Sequence, residues 1–345
     1  MTRRTSAALI AGFVGSLGLA TLPVLAATQL TGAGSTFVYP FFSKAFYTYS
    51  QQHPDITVNY QSIGSGGGIQ QFIAKTVDFG ASDVPMNDDE LKHAGGAVVQ
   101  VPVALGGEAI TYNLPVSTAG GLRLTRETIA DIYLGKITRW NDPALVKLNP
   151  HVSLPDLPIV TVHRSDGSGT TYIFTDFLSS VSKEWKDKVG TGKSVQWPGA
   201  STVGGKGNEG VAGQVRQTPG TIGYVELAYA IENKMSTAEV QNKAGKWLSC
   251  TESTVRAAAA TKANVSATDF SIVDRPGNDA YPIAGYTWAF VYQNPSDKVR
   301  AKLVKDVLSW VTGNDAQKIA GSLNYVPLPE TVQETAKKAI AEVKV

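Results

Sequence analysis

The sequence holds a single cysteine, Cys250, in 345 residues. That excludes a disulfide framework and the small stapled domains that depend on one. The four histidines, His53, His93, His151 and His163, are scattered without metal-ligand spacing, and no cysteine cluster accompanies them. Charged residues make up 17% of the chain, against roughly 25% in an ordinary soluble protein. The formal net charge of +2 is too small for a nucleic-acid or anionic-membrane surface. No block of like charge, tandem repeat, low-complexity tract or long Pro/Ser linker breaks the chain. Beyond residue 26, no stretch is apolar enough to span a bilayer.

What is present is apolar and rich in glycine. Hydrophobic residues account for 43% and glycine for 34 positions, which excludes intrinsic disorder. The length predicts two domains or one large one, with a sizeable core. Residues 1–26 read as a secretory signal peptide: Arg3 and Arg4 start it, an apolar run from Ala7 to Leu25 follows, and Val24-Leu25-Ala26 offers small residues before a cut. The run has about the length of a membrane anchor, but Gly, Ala, Ser and Thr crowd it. No cysteine follows it, so lipid attachment there is not expected. That segment carries two of the basic residues and no acidic one, leaving 29 of each sign in residues 27–345.

Strands and helices alternate after that. Phe41, Phe42, Ala45, Phe46 and Tyr49 share one face of a helix predicted over 39–52, and Pro40 suits its first turn. Residues 56–63 alternate like a strand, and the glycine run 64–68 is expected to precede a short helix over 69–75. Further strands are expected at 77–81, at 98–105 and 108–113 around Gly106-Gly107, and at 159–164. Thr125 is a candidate N-cap for a helix stopped by Gly135. Ser296 is a candidate cap for a late helix carrying Val299, Leu303, Val307 and Val311. This order argues an α/β protein with mixed, mostly parallel sheets.

Three loops are suited to hold an anion. Thr31–Phe37, Ile63–Gly68 and Arg164–Thr171 each set Gly beside Ser or Thr where a strand turns into a helix. Glycine lets backbone approach a ligand closely, hydroxyls donate, and a helix start adds free N–H groups. One such loop is ordinarily a cap and a turn, whereas three in one chain, one with an arginine, point to a ligand. Arg164 can bond a tetrahedral oxyanion through two N–H groups, with Asp166 placed to steady it.

Other motifs fail. Gly192-Lys193-Ser194 lacks the earlier glycine of a phosphate-binding P-loop, since Asp187 stands there. Gly205–Gly210 matches the dinucleotide fingerprint in letters, without an apolar strand before it. Neither Ser65 nor Ser168 sits in a Gly-x-Ser-x-Gly elbow.

The chain resembles the PstS family, the exported phosphate receptors of ABC transporters. The resemblance covers nearly all of residues 27–345. It is carried by Leu30–Gly34, Asn59-Tyr60-Gln61 with Gly64-Ser65, Val77–Asp83, Asp131–Ile137, Arg164–Thr170, Gly204–Asn208 and Ile222–Glu226. It implies a two-domain periplasmic-binding-protein fold of the Venus-flytrap type II class. Domain I would comprise 27–103 plus 284–345, and domain II 104–283, with crossovers near 103–107 and 279–284. The implied phosphate ligands are Thr36, the Phe37 N–H, Ser65, Asp83, Arg164, Ser168, Gly169 and Thr170, with Asp166 behind Arg164. Two departures are visible: Val38-Tyr39 separates Phe37 from Pro40, and Gly66 stands where relatives have a second serine.

The implied role is capture of inorganic phosphate and its delivery to membrane permease subunits. The expected protein is a periplasmic monomer without nucleic-acid partner, cofactor, metal or catalysis. Asp83 sharpens this: a carboxylate beside an anion repels it unless the ligand brings a proton, and phosphate does so where sulfate does not. Taken alone, Asp83 before Val84-Pro85 is equally well a cap or a turn. A receptor for another oxyanion and a secreted phosphoryl-handling hydrolase are the alternatives, and the second lacks a nucleophile–base pair.

Overall fold

The computed structural model describes residues 27–117 and 121–345. The segment read as a signal peptide lies outside the described residues. The first part of the chain forms β1 (Thr28–Gly34), α1 (Tyr39–Gln52), β2 (Ile56–Ser62), α2 (Ser65–Ile73), β3 (Phe79–Ser82), α3 (Asp88–Ala94) and β4 (Val98–Tyr112). Next come β5 (Arg123–Leu124), α4 (Arg126–Tyr133), α5 (Pro143–Leu148), β6 (Val160–Arg164), α6 (Gly169–Val181), α7 (Lys183–Lys188), β7 (Thr202–Gly205), α8 (Gly207–Gln217), β8 (Thr221–Glu226) and α9 (Leu227–Glu232). The chain continues through β9 (Ser236–Thr237), β10 (Glu239–Gln241), β11 (Trp247–Leu248), α10 (Glu252–Ala260), β12 (Ala284–Tyr292), α11 (Lys298–Val311), α12 (Asn314–Ser322) and α13 (Glu330–Ala341).

One mixed sheet runs β2-β1-β3-β12-β4-β8-β6-β7, with β9 added to β4; a small second sheet is β11-β10-β5. The outer pairings, β1 with β2 and β3 and β6 with β7 and β8, are parallel. The two long central strands are antiparallel to their neighbours. β4 pairs with β12 through Gly107 and with β8 from Glu108 onward, so a single strand joins the two wings of the sheet.

Local sequence explains most elements. α1 buries Phe41, Phe42, Ala45, Phe46 and Tyr49 on one face, and these rings pack against Tyr60 and Phe79 of the sheet. Thr125 accepts the Thr128 N–H and caps α4. Three details differ from the sequence pattern. First, α2 begins at Ser65, with the glycine run inside it. A Cβ on Gly68 would lie 2.3 Å from the Gly34 backbone, so the glycines let the helix sit directly on β1. Second, β4 does not break at Gly106-Gly107; a Cβ on Gly106 would meet the Phe37 ring at 2.7 Å. Third, Asp297, not Ser296, caps α11, and Val299 faces solvent, because the buried stripe is Ala301, Val304, Val307, Leu308 and Val311. Among the described residues, no helix is long and apolar enough to cross a membrane.

Candidate functional site

The three glycine-containing loops meet at the ends of β1, β2 and β6. β1 ends at Gly34 and delivers Ser35, Thr36 and Phe37 just before α1. β2 delivers Ser65 as the first residue of α2, and β6 ends on Arg164 ahead of α6. Ser168 caps α6 by accepting the Thr171 N–H. Thr36, Phe37, Ser65, Asp83, Arg164, Ser168 and Thr170 are all at most 5% exposed. Gly169 packs so closely on Asp83 that a Cβ there would lie 2.6 Å from the aspartate's backbone N, Cβ and Oδ2. Any side chain at 169 would push the two loops apart. The Gly66 N–H bonds the Gly167 carbonyl at 2.8 Å, closing the same seam.

The hydrogen bonding of three hydroxyls decides what the site can hold. Thr36 Oγ1 accepts the Asn208 backbone N–H at 3.1 Å and its Nδ2–H at 2.9 Å. Ser65 Oγ accepts the Asp83 N–H at 3.3 Å and the Gly169 N–H at 3.0 Å. Thr170 Oγ1 accepts Arg164 Nη1–H at 3.2 Å and Asn208 Nδ2–H at 3.1 Å. A hydroxyl has two lone pairs and one proton. With both lone pairs engaged, each of these buried groups has only its proton left to give; that of Ser65 has the Asp83 carboxylate beside it, and those of Thr36 and Thr170 meet no acceptor among the described residues. Ser168 adds another hydroxyl proton beyond its capping bond. The Phe37 N–H likewise finds no acceptor among the described residues. Buried donors left unmade are costly, which makes the arrangement fit for an acceptor-rich ligand.

Arg164 supplies the positive charge. Its Nε and Nη2 donate to the two Asp166 oxygens at 2.8 and 2.6 Å. Of its five N–H groups, one on each Nη remains unspent. Burial works to raise the Asp166 carboxyl, but Arg164 and the Gly207 N–H hold it below the ordinary carboxylate range. Asp83 offers an acceptor. Ser35 Oγ and Thr287 Oγ1 donate to its Oδ1 at 2.5 and 2.7 Å, which leaves Oδ2 the less engaged of the two oxygens. Burial pushes the Asp83 carboxyl up to about 6, against the pull of Ser35, Thr287, the Arg164 charge and Ser65.

The chain is similar to known proteins over most of its length. A PBP superfamily domain model matches residues 24–315. The phosphate-binding protein PstS of Xylella fastidiosa is 48% identical over 303 residues, 87% of this chain and 82% of that protein. The PstS protein of Haemophilus influenzae is 44% identical over 325 residues, 93% and 95% of the two chains. The chain belongs to the PstS family. A solved phosphate-binding protein from Stenotrophomonas maltophilia, 20% identical, shares the fold with a TM-score of 0.73, over 90% of this chain and 94% of that one.

Within this PstS chain, three residues that the sequence motifs did not assign to the site bear on it. Asn208 lies in the Gly204–Asn208 stretch that carried the resemblance, a signal that could have marked it. Ser35 adjoins Thr36 and was hidden by the assignment of its neighbour. Thr287 lies on β12, 204 residues from Asp83, and no local motif announces it. Other groups stand apart from the PstS loops. His163 stacks on Trp197 and bonds the Arg164 carbonyl. Cys250 is buried against β4, and burial raises its thiol. Among the described residues, no cluster of His, Cys, Asp and Glu could hold a metal. A cavity of about 370 Å³ beside α11 is lined by Asp78 and Arg300, but these are paired to each other.

Proposed function

We propose that this PstS-family chain is an extracytoplasmic solute-binding protein, which captures inorganic phosphate between two lobes and delivers it to the membrane permease of an ABC transporter. The lobes are 27–103 with 284–345, and 104–283, joined where β4 and β12 run through the centre of the sheet. Thr36, the Phe37 N–H, Ser65, Asp83, Arg164, Ser168 and Thr170 hold the anion, Asp166 holds Arg164, and Gly169, expected from the resemblance as a ligand, gives its N–H to Ser65 Oγ instead. The protein works in the periplasm as a monomer, with residues 1–26 as its export signal.

The observation that carries this reading is the set of buried hydroxyl protons without acceptors beside an arginine and a single carboxylate oxygen. Many donors and one acceptor match an anion that keeps a proton. Phosphate near neutral pH does, and its proton meets Asp83 Oδ2; sulfate has none to give. The name shared by the relatives is that of a phosphate-binding protein. Calorimetric titration of the protein with phosphate, arsenate and sulfate tests this. Tight binding of phosphate, with sulfate weaker by at least about a hundredfold, is the expected result. Equal sulfate affinity overturns the role of Asp83, and absence of phosphate binding overturns the reading.

A further inference from the structure

Asn208 is fully buried at the start of α8 and touches both sets of anion loops. Its amide orientation is fixed by the protein: Oδ1 accepts the backbone N–H of Glu226 at 2.9 Å, so Nδ2 must face the other way. The two Nδ2 hydrogens go to Thr36 Oγ1 and Thr170 Oγ1. Its backbone N–H also goes to Thr36. Thr36 therefore receives both of its donors from one residue, and that residue lies 172 positions away. Ser65 likewise takes one of its two donors, the Gly169 N–H, from across the same seam.

We propose that Asn208 is a positioning residue that sets the direction of the Thr36 and Thr170 O–H bonds, and so makes the donor set complete only while the seam is closed. This rests on the phosphate-receptor reading above. With the seam closed, Asn208 fills the acceptor positions of both hydroxyls and turns their protons toward the ligand. When the seam opens, Thr36 loses both donors at once and its hydroxyl is free to rotate or to donate to water. Ser65 loses its Gly169 donor in the same movement. The anion then loses oriented donors without competing for them, which couples release to opening. A buried amide that merely filled space or tied two loops together would not distinguish between donating and accepting. Asn208 does distinguish, because Asp has the same shape but accepts where Asn donates.

That difference gives the test. Phosphate affinity is measured by calorimetry for the unsubstituted chain, Asn208→Ala, Asn208→Asp and Thr36→Val, and for Thr36→Val combined with each Asn208 variant. Melting of the ligand-free proteins checks folding. Asn208→Ala frees the hydroxyls and is expected to weaken binding by about 3- to 10-fold. Asn208→Asp recruits both hydroxyl protons to its own carboxylate and is expected to weaken binding by about 100-fold. Because the effect passes through the hydroxyl, each Asn208 substitution should cost several-fold less on the Thr36→Val background. Asn208→Asp binding as well as or better than Asn208→Ala would show a shape role and overturn the proposal. So would an undiminished penalty on the Thr36→Val background, which marks plain charge repulsion. If Asn208→Asp does not fold, the Asn208→Ala and Thr36→Val cycle decides alone, and strict additivity overturns the proposal. Failure of the unsubstituted chain to bind phosphate would instead overturn the receptor reading beneath it.

Discussion

Two buried acidic positions near the centre of the sheet are treated in opposite ways. Asp83 directly follows β3 and has two hydroxyls on Oδ1, with Ser65 and Arg164 nearby. Its carboxyl is pushed only to about 6. Glu108 lies on β4, opposite Glu226 of β8, and neither of its carboxyl oxygens has a hydrogen-bond partner among the described residues. Burial first, then the charges of Asp83 and Glu226, push Glu108 well above the ordinary carboxylate range, against the pull of Arg164. Both are essentially shielded from solvent, so burial alone does not separate them. Donors do. A carboxyl given donors keeps its charge within reach of neutral pH and can act as an acceptor for a ligand. A carboxyl given none is held well above the ordinary carboxylate range by burial and by neighbouring negative charge.

The largest effect is expected at the group that lets Asp83 coexist with an anion. Arg164→Ala removes the cation and two unspent N–H donors. Charge-assisted bonds contribute about 1.5–3 kcal/mol each, so phosphate affinity should fall by about a thousandfold in calorimetry. Retained affinity would place the site elsewhere. The second effect is on Asp83 itself. Asp83→Asn keeps an acceptor for Ser35 and Thr287 but turns the ligand-facing atom into a donor, and phosphate-over-sulfate preference should shrink about 10- to 100-fold. An unchanged ratio would mean that Asp83 is not the filter.

The same substitution has a stability signature with a defined sign. The carboxyl is raised from 3.8 to about 6 in the folded protein. The folded state therefore favours the protonated form, and stability present below about pH 3.8 is lost as pH rises through about 6. At pH 7.5 the ligand-free Asp83→Asn protein should unfold with up to about 3 kcal/mol more free energy than the unsubstituted chain, and at pH 4 with little difference. Chemical denaturation at the two pH values measures this. A gain that is equal at both would break the link between burial and charge.

How much of this was legible in the chain depends on the distance over which each reason acts. α1 follows from apolar spacing within a few residues, and the three anion loops follow from the meeting of strand, glycine and helix start. The long strand β4 was not legible, because Gly106-Gly107 resembles a break until Phe37 is known to lie against it. The same holds for the start of α2, where the glycines answer to the backbone of β1. Within the site, Arg164 and Asp166 are two residues apart, and their pairing could be anticipated. The partners that set proton direction could not be. Asn208 reaches Thr36 from 172 residues away, and Thr287 reaches Asp83 from 204. Motifs point to the candidate donors and acceptors of the site, whereas the bonds that decide whether those atoms donate or accept come from remote strands and helices.

The smallest effect is expected at Glu108, and it tests the comparison from its other side. If Glu108 is protonated when folded, Glu108→Gln replaces one neutral, nearly isosteric group by another. Near pH 7, phosphate affinity should then change by less than about twofold and stability by less than about 0.5 kcal/mol. The two proteins should part as pH climbs through the raised folded value of Glu108. Because the folded carboxyl is raised, the stability it contributes is lost as pH climbs through its folded value, and Glu108→Gln removes that loss. Thermal melting from pH 6 to pH 10 is the measurement. A large gain in stability already at pH 7 would mean that Glu108 is ionised there. Glu108 would then be a second buried negative charge behind Asp83, and Arg164 would have to balance both of them as well as the ligand.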